Sequence, residues 1–144
     1  MATERTANAV WEGSLMEGSG TITETGSGAL PELPVTWASR AESPEGRTSP
    51  EELIAAAHAA CFAMALSHAL AQAGNPPERL ETSATITFVP GTGITKAALT
   101  VVGRVPGIDE NAFGEAADGA KDGCPVSGAL KGNVELTLDA RLES

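Results

Sequence analysis

Ser49-Pro50-Glu51-Glu52-Leu53-Ile54-Ala55-Ala56-Ala57-His58-Ala59-Ala60-Cys61-Phe62-Ala63-Met64-Ala65-Leu66 is the stretch on which the fold turns, and it runs on through Ala73 to Gly74. Ser49 followed three residues later by Glu52 is a capping-box spacing, and Pro50 falls at the first helical position, where a missing N–H costs nothing. Gly74, followed by Pro76 and Pro77, supplies the stop. The spacing predicts a helix of about 24 residues, roughly 36 Å long. Small apolar residues stand on nearly every side of it, so it is expected to be the central helix, buried on most faces. A membrane span is the competing reading, but the apolar runs around His58 and His68 fall short of the ~18 to 20 residues that a span needs.

The 144 residues are expected to form one domain, 1–144, large enough to bury a core without disulfide staples. Nine Lys and Arg against 19 Asp and Glu give a formal charge of -10, the wrong sign for a phosphate-backbone partner, so no nucleic acid is expected. Met1-Ala2-Thr3-Glu4-Arg5 has no apolar core of the secretory kind, and a soluble cytoplasmic location is the expectation. In that reducing compartment the two cysteines are not expected to form a permanent bridge; any pairing would be transient and chemical.

Around the long helix the chain alternates. Thr6 to Glu12 and Thr21 to Thr25, separated by Gly18 and Gly20, read as a hairpin, and Leu33 to Arg40 as a third strand with Pro34 near its edge. Leu80 to Val89 and Gly93 to Val105 read as a second hairpin. Asp109 is the expected N-cap of a short helix reaching about Lys121 and closed by Asp122-Gly123. Asn133 to Leu142 is a half-buried strand with Val134, Leu136, Leu138, Ala140 and Leu142 inward. Short turns favour an antiparallel sheet with helices on one face, an α+β fold.

Cys61 sits among small residues on the helix, where a free Cys is commonly a packing residue. Cys124 carries its own signal: Pro125 stands at a first helical position, so Cys124 falls at or near an N-cap, where the helix dipole and free N–H groups favour a thiolate. Singly, Glu51 in a first turn and Arg40 on a strand have structural explanations. Beside a buried Cys they admit another, because an Arg fork stabilises a thiolate and a carboxylate holds the fork in place. Glu51 and Cys61 are about 15 Å apart along the helix, so an Arg touching both would need one of them from a second chain, which predicts a dimer with its site at the interface. His58, three residues before Cys61, is a candidate base, and is expected to bond locally or to line the helix contact. His68 suits a helix end. No Cys-x-x-Cys or His-x-x-x-His spacing completes a metal site.

The Ser49-to-Leu66 stretch, together with Ala120-Lys121-Asp122-Gly123-Cys124-Pro125-Val126-Ser127, resembles the osmotically inducible protein C and organic hydroperoxide resistance family. Trp11-Glu12-Gly13 and Val105-Pro106-Gly107-Ile108-Asp109 extend the resemblance over nearly the whole chain. It implies a thiol peroxidase acting as an intertwined homodimer, an antioxidant stress-response enzyme. By motif match Cys61 would be the peroxidatic and Cys124 the resolving cysteine, with Arg40 and Glu51 the ion pair that activates Cys61. The absence of Arg between Arg5 and Arg40, with His58 before one Cys and Pro125-Val126-Ser127 after the other, points to the osmotically inducible branch. Arg47 is a second cation near the helix start. The substrates implied are organic hydroperoxides and hydrogen peroxide, with a thiol reductant and no metal, haem or flavin cofactor. Two other classes stay open: a Cys-His hydrolase using Cys61 and His58, and a non-enzymatic dimeric binding module in which both cysteines are structural.

Overall fold

The computed structural model describes residues 2–143, in the order β1 (Ala7–Glu12), β2 (Ser19–Thr25), β3 (Leu33–Val35), α1 (Trp37–Ala41), α2 (Pro50–Gln72), β4 (Arg79–Val89), β5 (Gly93–Arg104), α3 (Glu110–Gly123), α4 (Pro125–Leu130) and β6 (Glu135–Leu142). The α+β class expected from the sequence is borne out. Strands fall into two three-stranded sheets, and the chain divides into two compact units, Met1–Pro50 and Glu51–Ser144.

In the first unit β1, β2 and β3 form an antiparallel sheet in that order. The third strand is shorter than its alternation predicts. It ends at Val35, and Trp37–Ala41 is helical, so Arg40 lies in the last turn of α1 rather than on a strand. The cause is a capping box. The Ser39 N–H donates to Thr36 Oγ1 and the Thr36 N–H donates to Ser39 Oγ, each at 3.0 Å, which satisfies orphan donors that an extended chain would leave to a partner strand. Val10, Trp11, Leu15 and Met16 remain exposed at 52%, 41%, 54% and 71%.

In the second unit β4 and β5 form a hairpin that runs from Arg79 opposite Arg104 to Val89 opposite Gly93, with a register shift between Thr87 and Phe88. β6 departs from the antiparallel expectation: it pairs parallel with β5, from Lys96 beside Glu135 to Gly103 beside Leu142. α3 and α4 lie between these strands in the sequence, and a crossover of that length returns the chain to the end from which β5 started.

α2 starts at Pro50, as its spacing predicts. It ends in a Schellman closure: Gly74 has φ +90, its N–H donates to the Ala71 carbonyl at 3.0 Å, and the Asn75 N–H donates to the Leu70 carbonyl at 2.9 Å. Phe62, Leu66 and Leu70 enter one cluster with Leu99, Val101, Val105, Phe113, Ala117 and Ala120. The helix is nevertheless not buried on most faces within one chain. Its buried positions form a stripe of Glu51, His58, Phe62, Leu66 and Leu70, and Met64 on another face is 73% exposed. With a mean hydropathy of 1.7, α2 is long and apolar enough to cross a membrane by length and composition, but its buried stripe belongs to this core.

Candidate active site

Cys61 is on α2, beside the core residue Phe62, and is half-buried. Cys124 is held by two helices at once. Its N–H donates to the Ala120 carbonyl at 2.9 Å, closing α3, and its own carbonyl accepts from the Gly128 N–H at 3.0 Å, opening α4. The proline that follows disfavours helical dihedrals at Cys124, which takes φ -66 and ψ 127 and breaks the chain into two helices at this residue. The expected N-cap position is therefore observed. The junction buries Cys124 to 1% exposure and sets its Sγ 2.9 Å from Cys61 Sγ, with both thiols free.

The two sulfurs are unlike. Burial pushes the Cys61 thiol up, the hydrogen bond with Cys124 adds to this, and only the Val126 N–H acts in the opposite sense. At Cys124 burial also acts upward, but the hydrogen bond from Cys61, the N–H groups of Ser127 and Val126 and the Ser127 hydroxyl outweigh it and hold the thiol below its ordinary range. No cap bond from the Cys124 side chain is closed in the thiol form, so these donors act by favouring the anion. Both sulfurs meet the Val126 N–H at the start of α4, but Cys124 also meets the N–H and hydroxyl of Ser127, so these donors favour its anion over that of Cys61.

His58 is fully buried, and its Nε2 is 2.8 Å from Ser127 Oγ, while Nδ1 has no hydrogen-bond partner. Of the two expectations for His58, a local bond or a place lining a helix contact, the structure shows the second: its partner is on α4, and neither ring nitrogen bonds Cys61. Ser127 is the residue the sequence reading passed over as a functional candidate. Its signal was the Cys124-x-x-Ser127 spacing, which runs from an N-cap to the third helical position. Burial lowers the His58 pKa from its ordinary 6.5. The unfolded chain therefore takes up this proton first, so the stability His58 contributes is complete above that value and is lost as pH falls below it. The urea midpoint is expected to drop between about pH 7 and pH 5, and His58→Gln to flatten that part of the profile.

Glu51 is in the first turn of α2 at 6% exposure; Arg40 is a half-buried residue of the first unit, and Arg47 lies in an exposed turn there. Among the described residues no cluster of three or more His, Cys, Asp or Glu side chains is placed to hold a metal ion.

Two free thiols in contact, one reachable from solvent and the other sealed at a helix cap, define a dithiol redox protein whose chemistry is carried by sulfur. The chain belongs to the OsmC-like protein family, whose model matches residues 43–139. It is 45% identical over 147 residues, 100% of each chain, to peroxiredoxin OsmC of Escherichia coli (strain K12). It is 36% identical over 94 residues, 63% of this chain and 65% of the relative, to an organic hydroperoxide resistance protein of Xanthomonas axonopodis pv. citri (strain 306). Among solved structures, the organic hydroperoxide resistance protein OhrB of Bacillus subtilis is similar at TM-score 0.65 and 26% identity, over 94% of this chain and 98% of that one. An OsmC like protein from Mycoplasma pneumoniae shares the fold at TM-score 0.73 and 16% identity, over 100% of both chains. The resemblance read from the two cysteine motifs is borne out.

Proposed function

We propose that this protein is a thiol-dependent peroxidase that reduces organic hydroperoxides, and hydrogen peroxide, with Cys61 as the peroxidatic and Cys124 as the resolving cysteine. The observation that carries the reading is the 2.9 Å approach of the two free sulfurs, of which Cys61 is the more accessible. Full-length similarity to a peroxiredoxin supports it. The Cys61 thiolate attacks the distal oxygen of the peroxide; the O–O bond breaks, the alkoxide leaves and takes a proton to become the alcohol, and Cys61 is left as a sulfenic acid. The Cys124 thiolate then attacks that sulfur and expels hydroxide, giving a Cys61–Cys124 disulfide and water once a proton is added. Two electrons from a dithiol reductant restore both thiols by exchange.

Burial disfavours the Cys61 thiolate, so the first step needs a cation. Arg40, held by Glu51, is the assignment the motif match supplies. The helical spacing of Glu51 and Cys61, about 15 Å along one helix, supports taking one partner of that Arg from a second chain. A homodimer would give partners to the exposed apolar side chains of Met64 on α2 and of Val10, Trp11, Leu15 and Met16 in the first unit. A cytoplasmic location suits a dithiol that must be reduced after each turnover. The hydrolase alternative is not favoured, because His58 bonds Ser127 rather than Cys61.

The test is intact mass and free-thiol count before and after one equivalent of an alkyl hydroperoxide, with molar mass in solution measured on the same sample. Loss of both thiols as an intrachain disulfide in a dimer is expected, as is turnover of the alkyl peroxide at least equal to that of hydrogen peroxide. Thiols that survive untouched would remove the peroxidase reading, and a marked preference for hydrogen peroxide would remove the organic-substrate part of it.

A further inference from the structure

His58, Ser127 and Cys124 are buried, with exposures of 0%, 1% and 1%, and His58, on the α2 stripe that also carries Phe62, Leu66 and Leu70, has its Nε2 2.8 Å from Ser127 Oγ. We propose that His58 and Ser127 are positioning residues for the second chemical step, a relay in which His58 Nε2–H donates to Ser127 Oγ and the Ser127 hydroxyl in turn faces Cys124 Sγ, holding Cys124 as the nucleophile that attacks oxidised Cys61. The proposal rests on the peroxidase reading for the identity of that step.

The direction of the relay follows from the ring nitrogen that has no partner. Nδ1 of His58 is buried without a hydrogen bond. A proton there would strand an N–H donor in the core; with the proton on Nε2, Nδ1 carries only a lone pair. Neutral His58 is therefore a donor at Nε2, and Ser127 Oγ is its acceptor. The Ser127 hydroxyl proton is then free to turn to the sulfur at the start of its own helix, alongside the N–H groups of Val126 and Ser127. A leucine at position 58 would continue the stripe of Phe62, Leu66 and Leu70 without burying an unmatched nitrogen, so packing alone gives no account of the histidine. Cys61 faces the Cys124 sulfur directly, and His58 bonds Ser127, three residues after Cys124 on α4.

Two readouts on the full-length chain test this. In a Cys61→Ser background Cys124 is the lone thiol, and its thiolate absorbance titrates without peroxide. Adding Ser127→Ala or His58→Leu is expected to move that titration to higher pH, and His58→Gln, which keeps an N–H near the place of Nε2–H, to leave it near its starting value. In the two-cysteine chain, single-turnover oxidation should show sulfenic acid formation unchanged in Ser127→Ala and disulfide closure slowed about tenfold near pH 7, with the loss recovered at higher pH. A Cys124 titration unmoved by both Ser127→Ala and His58→Leu overturns the relay; so does equal slowing of both chemical steps, which would mark a structural role. Ser127→Ala removes one oxygen and keeps the volume, so it reports even where a change at His58 impairs folding. If peroxide leaves wild-type thiols intact, the peroxidase reading fails, and the peroxide-free titration still decides whether His58 and Ser127 act on Cys124.

Discussion

Cys61→Ser is expected to lower hydroperoxide turnover by at least about a thousandfold and to leave Cys124 reduced after peroxide treatment. The hydroxyl that replaces the thiol is too weakly acidic to attack the O–O bond, and Cys124, at 1% exposure, is sealed from the substrate despite its lower thiol pKa. Cys124→Ser should behave differently. Its Cys61 still reacts once, but with no second sulfur at 2.9 Å the sulfenic acid persists and, with excess peroxide, climbs to the sulfinic and sulfonic acids. Mass spectrometry resolves the two variants: Cys61→Ser gains no oxygen, and Cys124→Ser gains one and then more. Retention of wild-type turnover by Cys61→Ser would exchange the roles of the cysteines. In wild type, disulfide closure needs little motion, because the sulfurs start less than about 1 Å beyond the length of an S–S bond.

Phe113→Ala is expected to be the most damaging core substitution, costing about 3–5 kcal/mol in urea unfolding at neutral pH. Phe113 is fully buried, in one cluster with Phe62, Leu66 and Leu70 of α2 and Leu99 and Val101 of β5. Its ring occupies the space left by Gly103: a Cβ at that glycine would come within 2.5 Å of Phe113 Cζ and 2.6 Å of Cε1. Gly103→Ala therefore strains the same contact by overfilling, at about 1–3 kcal/mol, because the ring is enclosed and has no room to retreat. The pair is expected to be non-additive, since alanine at 113 opens the volume that a methyl at 103 needs. Simple addition of the two losses would show that the core relaxes elsewhere. Phe113 is on α3, the helix that ends at Cys124, so Phe113→Ala should also slow disulfide closure at denaturant concentrations where the fold persists.

Much of this molecule was legible in short windows of sequence. Pro50 and Gly74 bound α2 because proline at a first helical position and glycine after the last turn act within their own neighbourhood. Asp109 caps α3 as expected, its side chain accepting from the Ala112 N–H at 2.8 Å, and the alternation from Glu135 to Leu142 marks a half-buried strand. The two cysteine motifs, taken together, carried the family. The same local reasoning misread Leu33 to Arg40, where five helical residues are too few to display a period and the reciprocal Thr36 and Ser39 bonds outweigh the apparent alternation.

Tertiary structure decided the rest. Whether β6 runs parallel or antiparallel to β5 depends on how two intervening helices cross the sheet, and alternation is identical in either case. The contact between Cys61 and Cys124, and the bond between His58 and Ser127, join positions more than sixty residues apart. Their approach is the sum of many packing contacts, and no residue pattern near either end encodes it. The same holds for the proton balance between the sulfurs. A cysteine's spacing announces that it can be a nucleophile, but its charge is set by burial and by the N–H groups that face it, which exist only once α2, α3 and α4 have packed together.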